Sequence, residues 1–270
     1  MFVLAVSMGC AQVTQHVQRA DGAETALRVY EPSGAACAPV AVISPGAGGT
    51  ENGYAYLGRG MAEHGWLAIV VGHKESGPQK LRSEMRQSGL HNGLQDMVDD
   101  PALYRERLMD IGAALRYAEG RCKPPFVALL GHSMGSTTVM IEAGAQNKLG
   151  VRGKDRFDAY VAISPSGPGS IFPPAAWNGI RKPVYVLTGT RDQALEGPPS
   201  TRTRPFDDLQ PGCKWLGVVD GATHMDFARQ GMLSDAGKLT VETVSEFLAG
   251  VQAGNCALPN VPQGMTLKSK

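Results

Sequence analysis

Ser133 stands between two glycines in Gly131-His132-Ser133-Met134-Gly135, Asp192 closes the run Thr190-Arg191-Asp192, and His224 follows Thr223. A serine hydroxyl is a poor nucleophile until an imidazole within hydrogen-bonding reach takes its proton. The imidazole in turn works in the right tautomer only when a carboxylate holds its other nitrogen. Taken in chain order, Ser133 is the candidate nucleophile, Asp192 the orienting carboxylate, and His224 the base that later returns the proton. Asp220, Asp226 and Glu196 compete for the acid role, but Asp220 and Asp226 lie too close to His224 in the chain for the usual arrangement. With 34 glycines and 15 serines in 270 residues, Gly-x-Ser-x-Gly arises by chance about 0.2 times. The weight therefore rests on the elements that surround the motif.

Residues 127–130 form a short branched apolar run, the pattern of a strand covered on both faces, and residues 137–146 read as a helix. A strand reversing into a helix around one residue strains that residue's backbone and needs small neighbours two positions away on either side, which Gly131 and Gly135 supply. Residues 40–44 read as another buried strand, ending in Pro45-Gly46-Ala47-Gly48-Gly49. Such a loop can turn backbone N–H groups inward, and the backbone amides of Ala47 and Met134 are the expected oxyanion hole, each donor worth about 3 kcal/mol of barrier. Further strands are expected at 66–71, 160–163, 183–192 and 215–219, with an antiparallel edge strand at 26–30. Helices are expected at 54–64, closed by Gly65, at 101–119, opened by Pro101, and at 239–248. Asp192 and His224 then follow the carboxyl ends of parallel strands, the same edge as Ser133. Residues 73–103 are polar and mixed without a clear strand, and read as a lengthened excursion over that rim. His73 and His91 in it read as solvated or local hydrogen-bonding side chains. Tyr54 and Trp177 are candidate walls of a substrate pocket, although Trp177, with Phe172, could equally cover the core.

The length and a hydrophobic fraction of 43% suit one large α/β domain over residues 25–250, flanked by an N-terminal segment, 1–24, and a C-terminal tail, 251–270. A formal net charge of +1 without a basic stripe gives no reason to expect nucleic acid or a phospholipid surface as partner. A small, largely uncharged molecule and a monomer are expected, with no integral membrane segment, because no apolar run is long enough to span a bilayer. The start Met1-Phe2-Val3-Leu4-Ala5-Val6 is short for a signal core, and Ser7-Met8-Gly9-Cys10 resembles a degenerate lipoprotein box; a first strand or frayed end is the alternative. Setting Cys10 aside leaves four cysteines. Cys37 and Cys122 each precede a strand at one end of the sheet, in strands read as neighbours. Cys213 precedes a strand at that end too, and Cys256 follows the helix returning to it. Disulfides Cys37–Cys122 and Cys213–Cys256 are expected, remote from Ser133. They imply a periplasmic, cell-surface or secreted protein; reduced cysteines in a cytosolic protein are the alternative.

Gly-His-Ser-Met-Gly, followed in order by Thr-Arg-Asp and Thr-His, resembles an α/β-hydrolase fold serine esterase. The loop at 44–50 is similar to that of dienelactone hydrolases and platelet-activating-factor acetylhydrolases, and Gly-His-Ser-Met-Gly also occurs in bacterial cutinases and polyester hydrolases. Pro45 replaces a histidine frequent there, and Ser136 a glycine of the cutinases. The resemblance implies an α/β-hydrolase fold, a mostly parallel sheet of about eight strands with helices on both faces. It also implies a carboxylic ester hydrolase acting through an acyl-serine, without cofactor or metal. An acyltransferase or a lipid or polyester hydrolase would use the same triad, and a non-catalytic binding protein could keep the scaffold.

Overall fold

The computed structural model describes residues 11–34, 37–195, 197–228 and 234–270. Cys10 with the rest of the first ten residues, and Glu196, lie outside them. Nine strands form one sheet: β1 Gln12–Gln18, β2 Glu24–Tyr30, β3 Val40–Ser44, β4 Leu67–Val71, β5 Val127–His132, β6 Ala159–Ile163, β7 Val184–Arg191, β8 Lys214–Thr223 and β9 Met265–Ser269. Their spatial order is β1-β2-β4-β3-β5-β6-β7-β8-β9. The six strands from β4 to β8 in that order are parallel, while β2 joins β4, β1 joins β2 and β9 joins β8 antiparallel. This is the α/β-hydrolase fold. The helices are α1 Ala55–Glu63, α2 Pro78–Asp99, α3 Pro101–Arg121, α4 Met134–Glu142, the short α5 Arg204–Asp208, and α6 Asp235–Gln252.

Strand residues alternate between two buried layers, which is why the central strands are apolar without interruption. Val40 and Val42 face a core shared with Ile111 and Leu115 of α3 and Val139 of α4. Ala41 and Ile43 face the opposite core, with Met61 of α1 and Val244 and Phe247 of α6. α1 and α6 meet closely enough that a side chain at Gly60 would run into Val241.

The fold differs from the sequence reading in three places. β1 lies inside the segment assigned to residues 1–24, and β9 inside the tail expected at 251–270. Both are solvent-facing edge strands, whose mixed polar sequences lack the apolar run by which central strands announce themselves. The excursion at 73–103 is helical: α2 is polar on nearly every side, so its sequence carries no amphipathic stripe. It is also two arms, because Gly89 has φ 79° and ψ 172°, which breaks the helix. Among the described residues no helix is long and apolar enough to cross a membrane.

The chain joins Cys37 to Cys122 and Cys213 to Cys256, with Cα separations of 5.8 and 5.4 Å. Both bridges sit near the amino-terminal ends of the parallel strands. β3 and β5 are neighbours, with Val40 opposite Val127, and this brings the first pair together.

Candidate active site

The strand order turns back at β3 and β5: β3 is followed by β4 on one side, β5 by β6 on the other. Crevices open at the carboxyl ends of strands where such a reversal occurs. Ser133 sits there, between β5 and α4, with φ 55° and ψ −121°. Its N–H donates to Ile163 O, which fixes the turn to β6. The flanking glycines are sterically obligatory. A Cβ at Gly131 would strike the Gly135 carbonyl, and one at Gly135 would land on the carbonyl oxygens of Ser44 and Pro45.

His224 follows β8 in a short 3-10 turn, His224–Phe227, whose entry is held by Thr223 and Asp226 in reciprocal hydrogen bonds. Its Nε2 lies 3.0 Å from Ser133 Oγ, and its Nδ1 lies 2.9 Å from Asp192 Oδ1. Asp192 is fully buried just beyond β7, with Thr188 Oγ1 donating to its Oδ2 at 2.8 Å. Of the rival acids, Asp226 caps the turn and Asp220 accepts from Thr190 Oγ1. Asp226 thus braces the turn that carries His224, and Asp220 ties β8 to Thr190 of β7.

Arg202, from the turn Pro199–Thr203, is a buried cation that sequence reasoning passed over. Its Nε lies 3.2 Å from Asp192 Oδ1, and it donates to the carbonyls of Ser164 at 2.8 Å and Gln193 at 2.9 Å. Its NH2 also lies 3.1 Å from His224 Nδ1. The Asp192 carboxylate can only accept, so with the Nδ1 proton given to it Nε2 is free to accept from Ser133 Oγ. Burial alone would raise the Asp192 carboxyl, but the hydrogen bond from His224 and the Arg202 charge outweigh it and hold the group below its ordinary range.

The glycine loop after β3 is held from beneath. Gly48 N–H donates to Ser76 O at 2.8 Å, and Gly49 N–H to Gly46 O at 3.1 Å. Arg107 of α3, fully enclosed, donates to Pro45 O and, through Nε, to Thr138 Oγ1 at 3.2 Å. Burial pulls its guanidinium down to about 10, so it stays charged at neutral pH. His73 is buried too, so of its two readings the solvated one is excluded and the hydrogen-bonding one remains. Its Nδ1 meets Asp110 at 2.9 Å and its Nε2 meets Ser44 Oγ at 2.9 Å. His91 is exposed on α2. Among the described residues neither the Ala47 nor the Met134 N–H is committed to an acceptor. Met134 directly follows Ser133, and a Cβ at Gly46, next to Ala47, would lie 3.3 Å from Ser133 Cβ.

The expected pocket walls are corrected. Tyr54 OH bonds His132 Nδ1 at 2.7 Å and accepts from Gly46 N–H at 3.2 Å, so it ties the glycine loop to the residue before Ser133. Burial pushes its phenol up to about 12 and keeps it a neutral donor. Trp177 is completely buried against Phe172 in the core. The cleft at Ser133 and His224, about 220 Å³, is instead lined by Leu94 and Val98 of α2, Met134, Thr137, Ile171 and Leu195.

No protein-family model matches the chain. It is similar to Cutinase 2 of Thermobifida cellulosilytica, 26% identical over 208 residues, covering 76% of this chain and 67% of that one. It is equally similar to Cutinase cut1 of Thermobifida fusca, with 26% identity over the same span but only 55% of the relative's length, so the chain spans about half to two thirds of these relatives. By its sheet order and the turn after β5 the chain has the α/β-hydrolase fold, and in sequence it is similar to these bacterial cutinases.

Proposed function

We propose that the chain is a carboxylic ester hydrolase that works through an acyl-serine and needs no cofactor. The observation that carries this reading is the unbroken line from Asp192 to His224 to Ser133, at 2.9 and 3.0 Å. The cutinases to which the chain is similar support the same class of reaction.

In this scheme Ser133 Oγ bonds the ester carbonyl carbon as His224 Nε2 takes the hydroxyl proton. The electron pair of the C=O bond moves to oxygen, where the Ala47 and Met134 N–H groups receive it. Collapse re-forms the C=O bond and breaks the bond to the alkoxy oxygen, which leaves as alcohol with the proton from His224. Water then repeats the sequence on the acyl-serine: its proton passes to His224, the carboxylic acid departs, and Ser133 regains its hydrogen. Asp192 stays ionised and stabilises the imidazolium formed in each half. The two disulfides support an oxidising compartment, hence export from the cytosol.

Turnover of p-nitrophenyl butyrate and labelling of Ser133 by a fluorophosphonate test the reading. Ser133→Ala is expected to lower kcat by at least about ten-thousandfold and abolish labelling. Activity that survives the substitution would refute it, and so would a wild-type chain that the probe does not label.

A further inference from the structure

The arms of α2 fold back on each other at Gly89, and Gly93 permits the closeness: a Cβ there would collide with the backbone of Glu84 and Met85. From the first arm, Leu81 rests on Gly48 of the glycine loop. From the second, Leu94 and Val98, one helical turn apart, look into the cleft that holds Ser133 and His224. That second arm is fastened in place. Ser170 Oγ donates to Asp99 Oδ1 at 2.5 Å, Gln95 Nε2 to Asp99 Oδ2 at 2.7 Å, and Tyr104 OH to Val98 O at 2.8 Å. A helix with little apolar surface thus spends two of its few apolar side chains on the wall of the cleft.

From this we infer that Leu94 and Val98 set the length of one apolar arm of the ester, and that the substrates are small short-chain esters rather than polymer chains. The inference rests on the esterase reading above and deepens it. A cleft of about 220 Å³ lies below the roughly 300–1,000 Å³ of sites that take drug-sized ligands. A polyester must also run onward from the reacting carbonyl in both directions, and the fastened arm supplies part of the cleft wall.

Two ester series separate the arms: p-nitrophenyl esters from acetate to decanoate vary the acyl side, and alkyl butyrates from methyl to octyl vary the alcohol side. Active sites are counted by fluorophosphonate titration. In the wild type kcat/KM is expected to fall sharply beyond a short chain in one series, and amorphous polyester film is expected to release no product. Leu94→Ala with Val98→Ala should move that limit outward, with about fourfold gained for each further methylene admitted, the ratio that corresponds to about 0.8 kcal/mol per buried CH2. Leu94→Phe, which fills the cleft and does not depend on the double variant folding, should cut turnover of the longer esters and spare the acetate. Leu90→Ala, at a side chain 66% exposed on the tip, should leave both profiles unchanged. A labelled, active enzyme whose length profile ignores these changes, or which erodes film as fast as it cleaves small esters, overturns this inference alone. A wild type that neither labels nor turns over any ester overturns the esterase reading and this one with it.

Discussion

Arg202 shows how one side chain can organise a site through the groups it holds. It bridges the backbone after β6, the backbone after β7, and the Asp192 carboxylate, and so sets the distance between the segments that carry the acid and the floor under Ser133. Arg202→Met removes a buried charge partner, for which a loss of about 3 kcal/mol in stability is expected by urea unfolding. Asp192 is held below its ordinary range, so its contribution to stability is present at neutral pH and lost as pH falls through its folded value. Without Arg202 that value rises, and the acid-side decline in melting temperature should begin at higher pH. Arg202→Lys restores the charge but not the planar fork, so it should recover the acid-side melting and leave kcat depressed with KM nearly unchanged. A lowered kcat in both variants with identical acid-side melting curves would show Arg202 to be a plain structural tie.

Among the elements, what was legible follows from where each strand lies. β3, β5, β6, β7 and the first half of β8 are buried on both faces, so they read as apolar runs, and the residues that leave β3, β5, β7 and β8 at one edge are the ones that now meet: the glycine loop, Ser133, Asp192 and His224. Local sequence carries such strands because burial dictates their composition. Three kinds of feature were not legible. The edge strands β1 and β9 pair through backbone groups and need little apolar content. α2 is held by its glycine turn and by Ser170 and Asp99, contacts that no periodicity records. Arg202, Arg107 and His73 are polar side chains whose types predict exposure, and only long-range packing buries them. Trp177 failed in the opposite sense. An aromatic in a Ser/Pro/Gly-rich loop suited a pocket wall as well as a core, and Ile171 lines the cleft while Trp177 lies behind it.

The molecule as a whole is stapled at one end of its sheet and carries Ser133, His224 and Asp192 at the other. The bridges close loops with sequence separations of 85 and 43 residues. On a chain-entropy basis each contributes about 4 kcal/mol, which for a chain of this size is about 10 °C in melting temperature. Cys37→Ser with Cys122→Ser, and separately Cys213→Ser with Cys256→Ser, are expected to lower the melting temperature by about that amount in differential scanning calorimetry, with KM for a small ester unchanged because the bridges are remote from Ser133. A rise in KM comparable to that of a cleft variant would show that the two ends are mechanically linked.

β9 has a further bearing on handling the protein. It zips onto the outer margin of β8, the strand that delivers His224, with Trp215 opposite Ser269 and Val219 opposite Met265. A version cut short before Met265 would leave a ladder of bare amides and carbonyls on a long flat strand, an invitation for another copy to dock by backbone pairing. Light scattering should find that shortened form in dimers or larger aggregates, whereas an affinity tag added after Lys270 should leave the particle size of the intact protein as it was.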